Sequence, residues 1–224
     1  MTRVQQEFND RVNELDAYIQ FIAGIDVGSV QLRDASGTSP AYSTQAKDDL
    51  MRTSKASALL LLYNLMESTV SNAVEAIYDE MASKGVAFDS CRKEVRRIIL
   101  ANLKQHDTDK LVPVLLTIST DIVNKTFKKD GVVSGNVDAR QIKKIASRYG
   151  FSKPSADGKD LLTVKTTRND LAHGVKSFAE VGRSFVIQDI IDLKNKVVAY
   201  LQALLTCVAQ YITQAHYLAA PGRP

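Results

Sequence analysis

Tryptophan is absent from this 224-residue chain, and aromatic residues make up only 7% of it. This composition excludes a tryptophan-based platform on which nucleic-acid bases would stack. The only two cysteines, Cys91 and Cys207, lie far apart and have no Cys-x-x-Cys or Cys/His spacing. We therefore interpret them as buried apolar thiols, typical of a protein from a reducing cytosol, and not as a disulfide or metal pair.

Long apolar runs are also missing. The most apolar segment, residues 58–66, is interrupted by Asn64 and followed by Glu67, so it is too short to cross a bilayer. The first residues alternate charged and apolar side chains, which does not fit a signal peptide. The sequence predicts a soluble, cytoplasmic protein that does not associate with a membrane.

Several familiar catalytic and cofactor-binding motifs are not found. The chain has no GxxxxGK[ST] phosphate loop, no strand followed by GxGxxG, no HExxH and no GxSxG. Three histidines and two scattered cysteines do not easily form a structural zinc site. We expect no cofactor and no metal ion.

Charge is distributed unevenly along the chain, whose net charge is +4. Residues 1–90 carry 7 basic and 13 acidic side chains, whereas residues 91–148 carry 13 basic and 6 acidic ones. The basic middle indicates either a surface that faces a polyanion or complementary packing against the acidic part. Solvated helix faces that happen to differ in sign explain the charge pattern equally well.

Helical periodicity dominates the apolar pattern. Helices are predicted over residues 2–23, 47–84, about 90–104, 109–128, 138–149, 159–173 and 188–217. No alternation typical of a strand exceeds about four residues. Residues 128–136 are predicted as a loop that could contain an extended pair at Val132 and Val133. The predicted fold is an all-α bundle of long antiparallel helices with shorter helices inserted between them. We expect one domain over residues 1–224, with a basic helical insertion at approximately 89–150.

The segment RNDLAHG, residues 168–174, carries the strongest chemical signal. Arg168 offers a planar guanidinium whose N–H groups suit phosphate oxygens, and His173 offers an imidazole that can accept or donate a proton. On a regular helix these two residues lie about 140° apart, so a second protomer that supplies its own pair is the easier way to join them. Without further information, His173 is more simply a favourable partner for the helix dipole, and Arg168 could pair with Asp170.

This Arg-x4-His pattern resembles the HEPN (higher eukaryotes and prokaryotes nucleotide-binding) superfamily. It is similar to the prokaryotic HEPN ribonucleases of toxin–antitoxin and phage-defence systems. The segment LYNLMES at residues 62–68 and the long terminal helix also resemble that group, so the resemblance spans most of residues 47–218.

The resemblance implies a metal-independent endoribonuclease that acts as a toxin or defence effector at the cleft of a homodimer. In that role His173 would be the general base or acid, and Arg168 would bind the scissile phosphate. Asn169 would position these groups, with Asp170, Asn64 and Glu67 in supporting roles. Asn64 and Glu67 are equally well explained as buried polar groups satisfied within the bundle.

The expected partners are an RNA substrate, a second copy of the chain and a protein antitoxin. Candidates for binding RNA phosphates are Arg92, Lys93, Arg96, Arg97, Lys143 and Lys144. Some HEPN toxins carry a modifiable tyrosine two residues after the histidine, but Val175 stands there, so an antitoxin that masks the cleft is expected instead. The alternatives are a non-catalytic HEPN protein that binds RNA or nucleotide or partners an active paralogue, and a structural helical module whose basic face docks a protein.

Overall fold

Every regular element that the computed structural model describes is helical. The structure describes residues 1–37, 43–103, 127, 129, 132–133 and 135–220. Within these residues lie helices α1 (Thr2–Asp26), α2 (Thr44–Ser83), α3 (Lys93–Leu103), α4 (Ala139–Tyr149), α5 (Lys159–Ala172), α6 (Phe178–Arg183) and α7 (Ile187–Thr213), with a 3-10 helix at Phe88–Ser90. The same residues contain no β-strand, and an isolated antiparallel bridge joins Cys91 and Leu218. The predicted all-α fold class is confirmed.

Helix α2 is the longest element, at 40 residues, which corresponds to about 60 Å. Between Ala58 and Met81 every apolar side chain of this helix is buried except Leu60 and Leu61, which are half-buried. Such a wide buried face requires packing on several sides of the helix.

Several predicted elements differ from the structure. The final helix ends at Thr213 and not at 217, because a turn follows in which Ala215 adopts a positive φ of 48°. Val132 lies in a turn, so the extended pair with Val133 is wrong. Residues 178–183, which lie between two predicted helices, form the short helix α6. The helix predicted over 109–128 lies almost wholly outside the described residues.

The chain divides into two compact units. One comprises residues 6–66 and 157–199, and the other comprises 1–5, 67–156 and 200–224. A single domain over the whole chain stays a prediction. In the described part of both units, no helix is long and apolar enough to span a bilayer.

The unit of residues 6–66 and 157–199 holds the RNDLAHG segment. Its helices α1 and α2 are linked by Tyr18, whose hydroxyl donates to the Ser54 carbonyl at 3.2 Å. Lys194 of α7 pairs with Asp16 of α1 at 2.6 Å. Helix α6 approaches α2 so closely that a Cβ at Gly182 would overlap the Arg52 backbone, so glycine is required there.

The other unit is built on the second half of α2 and on α3, α4 and the end of α7. Helix α3 packs against α4, and the buried face of α4 is formed by Ile142, Ile145, Ala146 and Tyr149. The Tyr149 carbonyl accepts a hydrogen bond from the Tyr211 hydroxyl at 2.7 Å. Burial raises the pKa of Tyr211, so its hydroxyl keeps its proton and remains a donor at neutral pH.

Candidate active site

The RNDLAHG segment ends helix α5 with a Schellman motif. The Gly174 N–H donates to the Leu171 carbonyl at 3.2 Å, and the Val175 N–H donates to the Asp170 carbonyl at 2.8 Å. Gly174 adopts a left-handed φ of 66°, which glycine reaches without the steric penalty of a Cβ. The predicted helix end at this glycine is therefore confirmed, and His173 occupies the C-cap position.

Arg168 is positioned by two contacts within its own unit. Its guanidinium carbon lies 4.9 Å from the centre of the Tyr63 ring, a cation–π arrangement. Its Nη1 also donates a hydrogen bond to Asn169 Oδ1 at 3.1 Å. Tyr63 is almost fully buried in α2, whereas Arg168 is half-buried. The ring is thus fixed by packing, and the guanidinium stacked on it remains partly accessible to solvent.

His173 is exposed to solvent at the end of α5. Its backbone N–H donates to the Asn169 carbonyl at 3.0 Å, which continues the helical pattern to the last residue. An exposed imidazole can receive or deliver a proton to a substrate that docks from solution. Its position satisfies the simplest requirement for a general base, which is access to the substrate.

Asn169 and Asp170 have distinct surroundings. The side-chain oxygen of Asn169 accepts a hydrogen bond from the Arg168 guanidinium, and its positioning role stays a prediction. The Asp170 carboxylate pairs with Lys176 at 2.7 Å, across the turn that follows the helix. The cationic partner of Asp170 is therefore Lys176 and not Arg168. This ion pair bridges the turn that follows α5.

The two polar residues predicted on α2 also differ from each other. Asn64 is exposed, so the interpretation of a buried, internally satisfied amide is wrong for this residue. Glu67 is half-buried and accepts a hydrogen bond from the Gly135 N–H at 3.0 Å. Through this hydrogen bond Glu67 holds the loop at Gly135, which belongs to the same unit.

Among the predicted RNA-binding residues, Arg92 has partners within the protein. Its Nε pairs with Glu94 at 2.7 Å, and its Nη1 donates to the Gly150 carbonyl at 3.0 Å. A Cβ at Gly150 would overlap the guanidinium, so Arg92 packs closely against the end of α4. Arg92 precedes α3, which begins at Lys93, and its Nε and Nη1 donors bind groups within its own unit.

The remaining basic candidates are more accessible. Lys93 and Arg97 on α3, and Lys143 and Lys144 on α4, are exposed, and Arg96 is half-buried. These residues belong to one unit, and Arg168 and His173 belong to the other. Across the described ranges, no group of three or more His, Cys, Asp or Glu side chains is arranged to hold a metal ion.

Tyr63 is the site residue that the sequence did not reveal as such. The pattern marked its helix as apolar and central, and a tyrosine on that face is indistinguishable from an ordinary core residue. Only the packing of α5 on α2 brings its ring beneath Arg168. The arrangement can bind an anion through the guanidinium and exchange a proton through the imidazole.

Comparison with known protein families agrees with the motif. The family model described as HEPN_MAE_28990-like HEPN matches residues 1–217. No curated protein and no solved structure gives a significant match. The family match includes α1, which the resemblance of the motif and its flanking helices did not cover. The predicted HEPN membership is confirmed, and because the match spans nearly the whole chain, the protein belongs to the HEPN_MAE_28990-like HEPN family of the HEPN superfamily.

Proposed function

We propose that this protein is a metal-independent endoribonuclease that acts as a toxin or defence effector. HEPN membership points to a nuclease or RNA-related function in general. The observation that carries the specific proposal is the geometry at the end of α5. There, Arg168 rests on the buried Tyr63 ring, and His173 stands exposed at the C-cap. A cation for phosphate and a proton carrier are the groups that phosphodiester cleavage needs.

The proposed reaction uses the RNA's own 2′-hydroxyl as the nucleophile. His173 removes the hydroxyl proton, and the 2′-oxygen attacks the adjacent phosphorus. Arg168 stabilises the negative charge that grows on the non-bridging oxygens. The bond from phosphorus to the 5′-oxygen then breaks, and that oxygen receives a proton from an imidazolium. The products are a 2′,3′-cyclic phosphate and a 5′-hydroxyl end.

A homodimer fits the need for both a base and an acid. One protomer offers a single Arg168–His173 pair, whereas a second copy would bring another imidazole to the same linkage. Restraint of such an effector by a protein antitoxin belongs to the same proposal. Val175 offers no hydroxyl for modification at the position two residues after His173.

Cleavage of total RNA by the purified protein in EDTA tests this proposal. The parent protein should produce fragments with 2′,3′-cyclic phosphate ends. His173→Ala should lower the rate by about 10²–10⁴-fold, the usual contribution of general acid–base catalysis. Arg168→Ala should lower it by about 10²–10³-fold, as for loss of a donor to a developing oxyanion.

Two controls make this experiment decisive. His216→Ala removes a histidine outside the motif and should cleave like the parent. The oligomeric state, measured by light scattering, should be a dimer for the parent and for both inactive variants. RNA binding without cleavage by the parent would instead identify a non-catalytic HEPN protein.

A further inference from the structure

Helix α4 carries four basic side chains on one exposed face. Arg140, Lys143, Lys144 and Arg148 are all exposed, and Ser147 is the only other exposed residue of the helix. At 100° per residue these five positions occupy an arc of about 140°, opposite the buried Ile142, Ile145, Ala146 and Tyr149. We call these four side chains the α4 basic face.

Among the residues that the structure describes, no acidic side chain interrupts this face. The helix itself contains neither Asp nor Glu. Asp138 precedes it, but this carboxylate is the N-cap and accepts a hydrogen bond from the Gln141 N–H at 2.8 Å. No ion pair joins the four cations to any other residue that the structure describes. Within the described part of the chain, the four exposed cations therefore form a continuous positive face.

Helix stability does not explain this arrangement. Arg140 lies in the first turn, where a cation is repelled by the positive end of the helix dipole. Arg140 with Lys144, and Lys144 with Arg148, are like-charged pairs at i,i+4, each destabilising by about 0.2–0.5 kcal/mol. Only Arg148, in the last turn, is placed favourably for the dipole.

The helix that bears these charges is held firmly at its C-terminal end. Gly150 caps it in the left-handed conformation, with a φ of 86°. The Gly150 carbonyl accepts a hydrogen bond from Arg92, and the Tyr149 carbonyl accepts one from Tyr211. Because the backbone is fixed, the row from Arg140 to Arg148 keeps its length of about 12 Å.

We propose that the α4 basic face is a docking surface for the phosphate backbone of single-stranded RNA, separate from the motif that carries Arg168 and His173. The identification of the polyanion as RNA rests on the proposed function. A row of cations without acidic neighbours matches a chain of evenly spaced phosphates, and it reads no base sequence. Helix α3 is a poorer candidate, because Glu94 and the half-exposed Leu100 interrupt its basic residues.

The test measures RNA binding separately from RNA cleavage. All proteins carry His173→Ala, so that labelled single-stranded RNA stays intact, and the dissociation constant is measured from about 50 to about 200 mM salt. The α4 variant combines Arg140→Gln, Lys143→Gln, Lys144→Gln and Arg148→Gln. The charge-matched control combines Arg11→Gln, Lys47→Gln, Lys153→Gln and Lys159→Gln, four cations that are exposed on other parts of the chain.

The α4 variant should bind about tenfold more weakly or worse at low salt. The slope of its binding constant against salt, on logarithmic axes, should fall by about 0.7 for each phosphate that the variant no longer neutralises. The control should bind like the parent. A smaller variant, Lys143→Gln with Lys144→Gln, should show about half of the change in slope. Thermal melting of every variant checks that the fold is intact.

Equal binding by the α4 variant and the control would overturn the proposal even if the parent enzyme cleaves RNA. Equally tight, α4-dependent binding of poly-glutamate would also overturn it, because the face would then suit an acidic protein. If RNA binding depends on the α4 basic face but the parent shows no cleavage, the docking surface stands and the ribonuclease proposal fails.

Discussion

At the scale of single residues, the contact between Arg168 and Tyr63 gives the candidate site its rigidity. A free arginine side chain samples many rotamers, and holding it over a phosphate costs conformational entropy. The Tyr63 ring, at 4.9 Å, and Asn169 Oδ1, at 3.1 Å, restrict the guanidinium before any substrate arrives. Tyr63 is therefore a positioning residue for Arg168.

We expect Tyr63→Leu to lower the cleavage rate by about 2- to 30-fold, the range that a cation–π contact of about 0.5–2 kcal/mol allows. Tyr63→Phe keeps the ring and should retain most of the activity. The initial rate is measured on one RNA substrate, well below the melting temperature of each variant. Equal losses in Tyr63→Phe and Tyr63→Leu would show that the ring face does not position Arg168.

At the scale of elements, the end of α5 and the start of α6 frame His173. The Schellman motif places His173 at the C-cap, directly after the last residue of α5, and Gly174 turns the chain away from it. Ser177 then begins α6 with a capping box, in which its side chain and Glu180 bond each other's backbone N–H groups. The Schellman motif and the capping box, within residues 170–180, thus fix the backbone on the C-terminal side of His173.

Gly174→Ala tests the first of these motifs. No described atom lies within 4 Å of a Cβ at this position, so the cost should be that of the left-handed backbone alone. We expect a loss of about 1–2 kcal/mol, with a melting temperature lower by about 2–4 °C per kcal/mol. Gly174→Asn should lose less, because asparagine tolerates this conformation better. Equal melting temperatures for all three proteins would contradict this explanation.

The capping box should make stability depend on pH. Hydrogen bonds from the backbone and side chain of Ser177 lower the pKa of the Glu180 carboxyl below 4.5. A lowered carboxylate pKa contributes stability above 4.5, and this contribution is lost as the pH falls through the folded-state value. Glu180→Gln removes the contribution, so the melting temperatures of parent and variant should converge as the medium is acidified.

The double variant Ser177→Ala with Glu180→Gln provides the control for that experiment. It should show the same weakened pH dependence as Glu180→Gln, because the titrating carboxyl is absent from both. A difference between parent and Glu180→Gln that is the same at neutral and acidic pH would rule out the contribution of Glu180 ionisation.

At the scale of the whole molecule, the reactivity of the Cys91 thiol is a measure of unfolding. It is fully buried, and burial raises the pKa of its thiol from 9.0 to about 11. At pH 8 the reactive thiolate is then about 100-fold rarer than for an unperturbed thiol. We expect Cys91 to react with a thiol reagent very slowly in the folded protein and rapidly in denaturant.

Cys207 requires a separate variant, because it is only half-buried. Labelling of Cys91 alone is followed in Cys207→Ala by mass spectrometry over a denaturant series. Protection of Cys91 should disappear together with the helical circular dichroism signal. Fast labelling in the absence of denaturant would show that the surroundings of Cys91 open locally.

The helical elements and the end of the motif could be predicted because they depend on neighbouring residues. Apolar spacing marked the buried face of α2, and Gly174 marked the end of α5. Helix α6 was missed although Ser177 and Glu180 form a recognisable capping pattern, because six residues contain too few apolar positions to show a period. The basic composition of residues 91–148 was visible, but the internal use of Arg92 was not.

The sequence by itself determined the all-helical architecture, HEPN membership and the adjacency of Arg168 and His173 on one segment. These properties follow from local periodicity, from capping and from a short motif. The tertiary structure alone decided that Tyr63 lies under Arg168, that Arg92 caps α4 internally and that Asn64 is exposed. Such contacts join residues that are distant along the chain, and the same local pattern is compatible with many ways of packing the helices against each other.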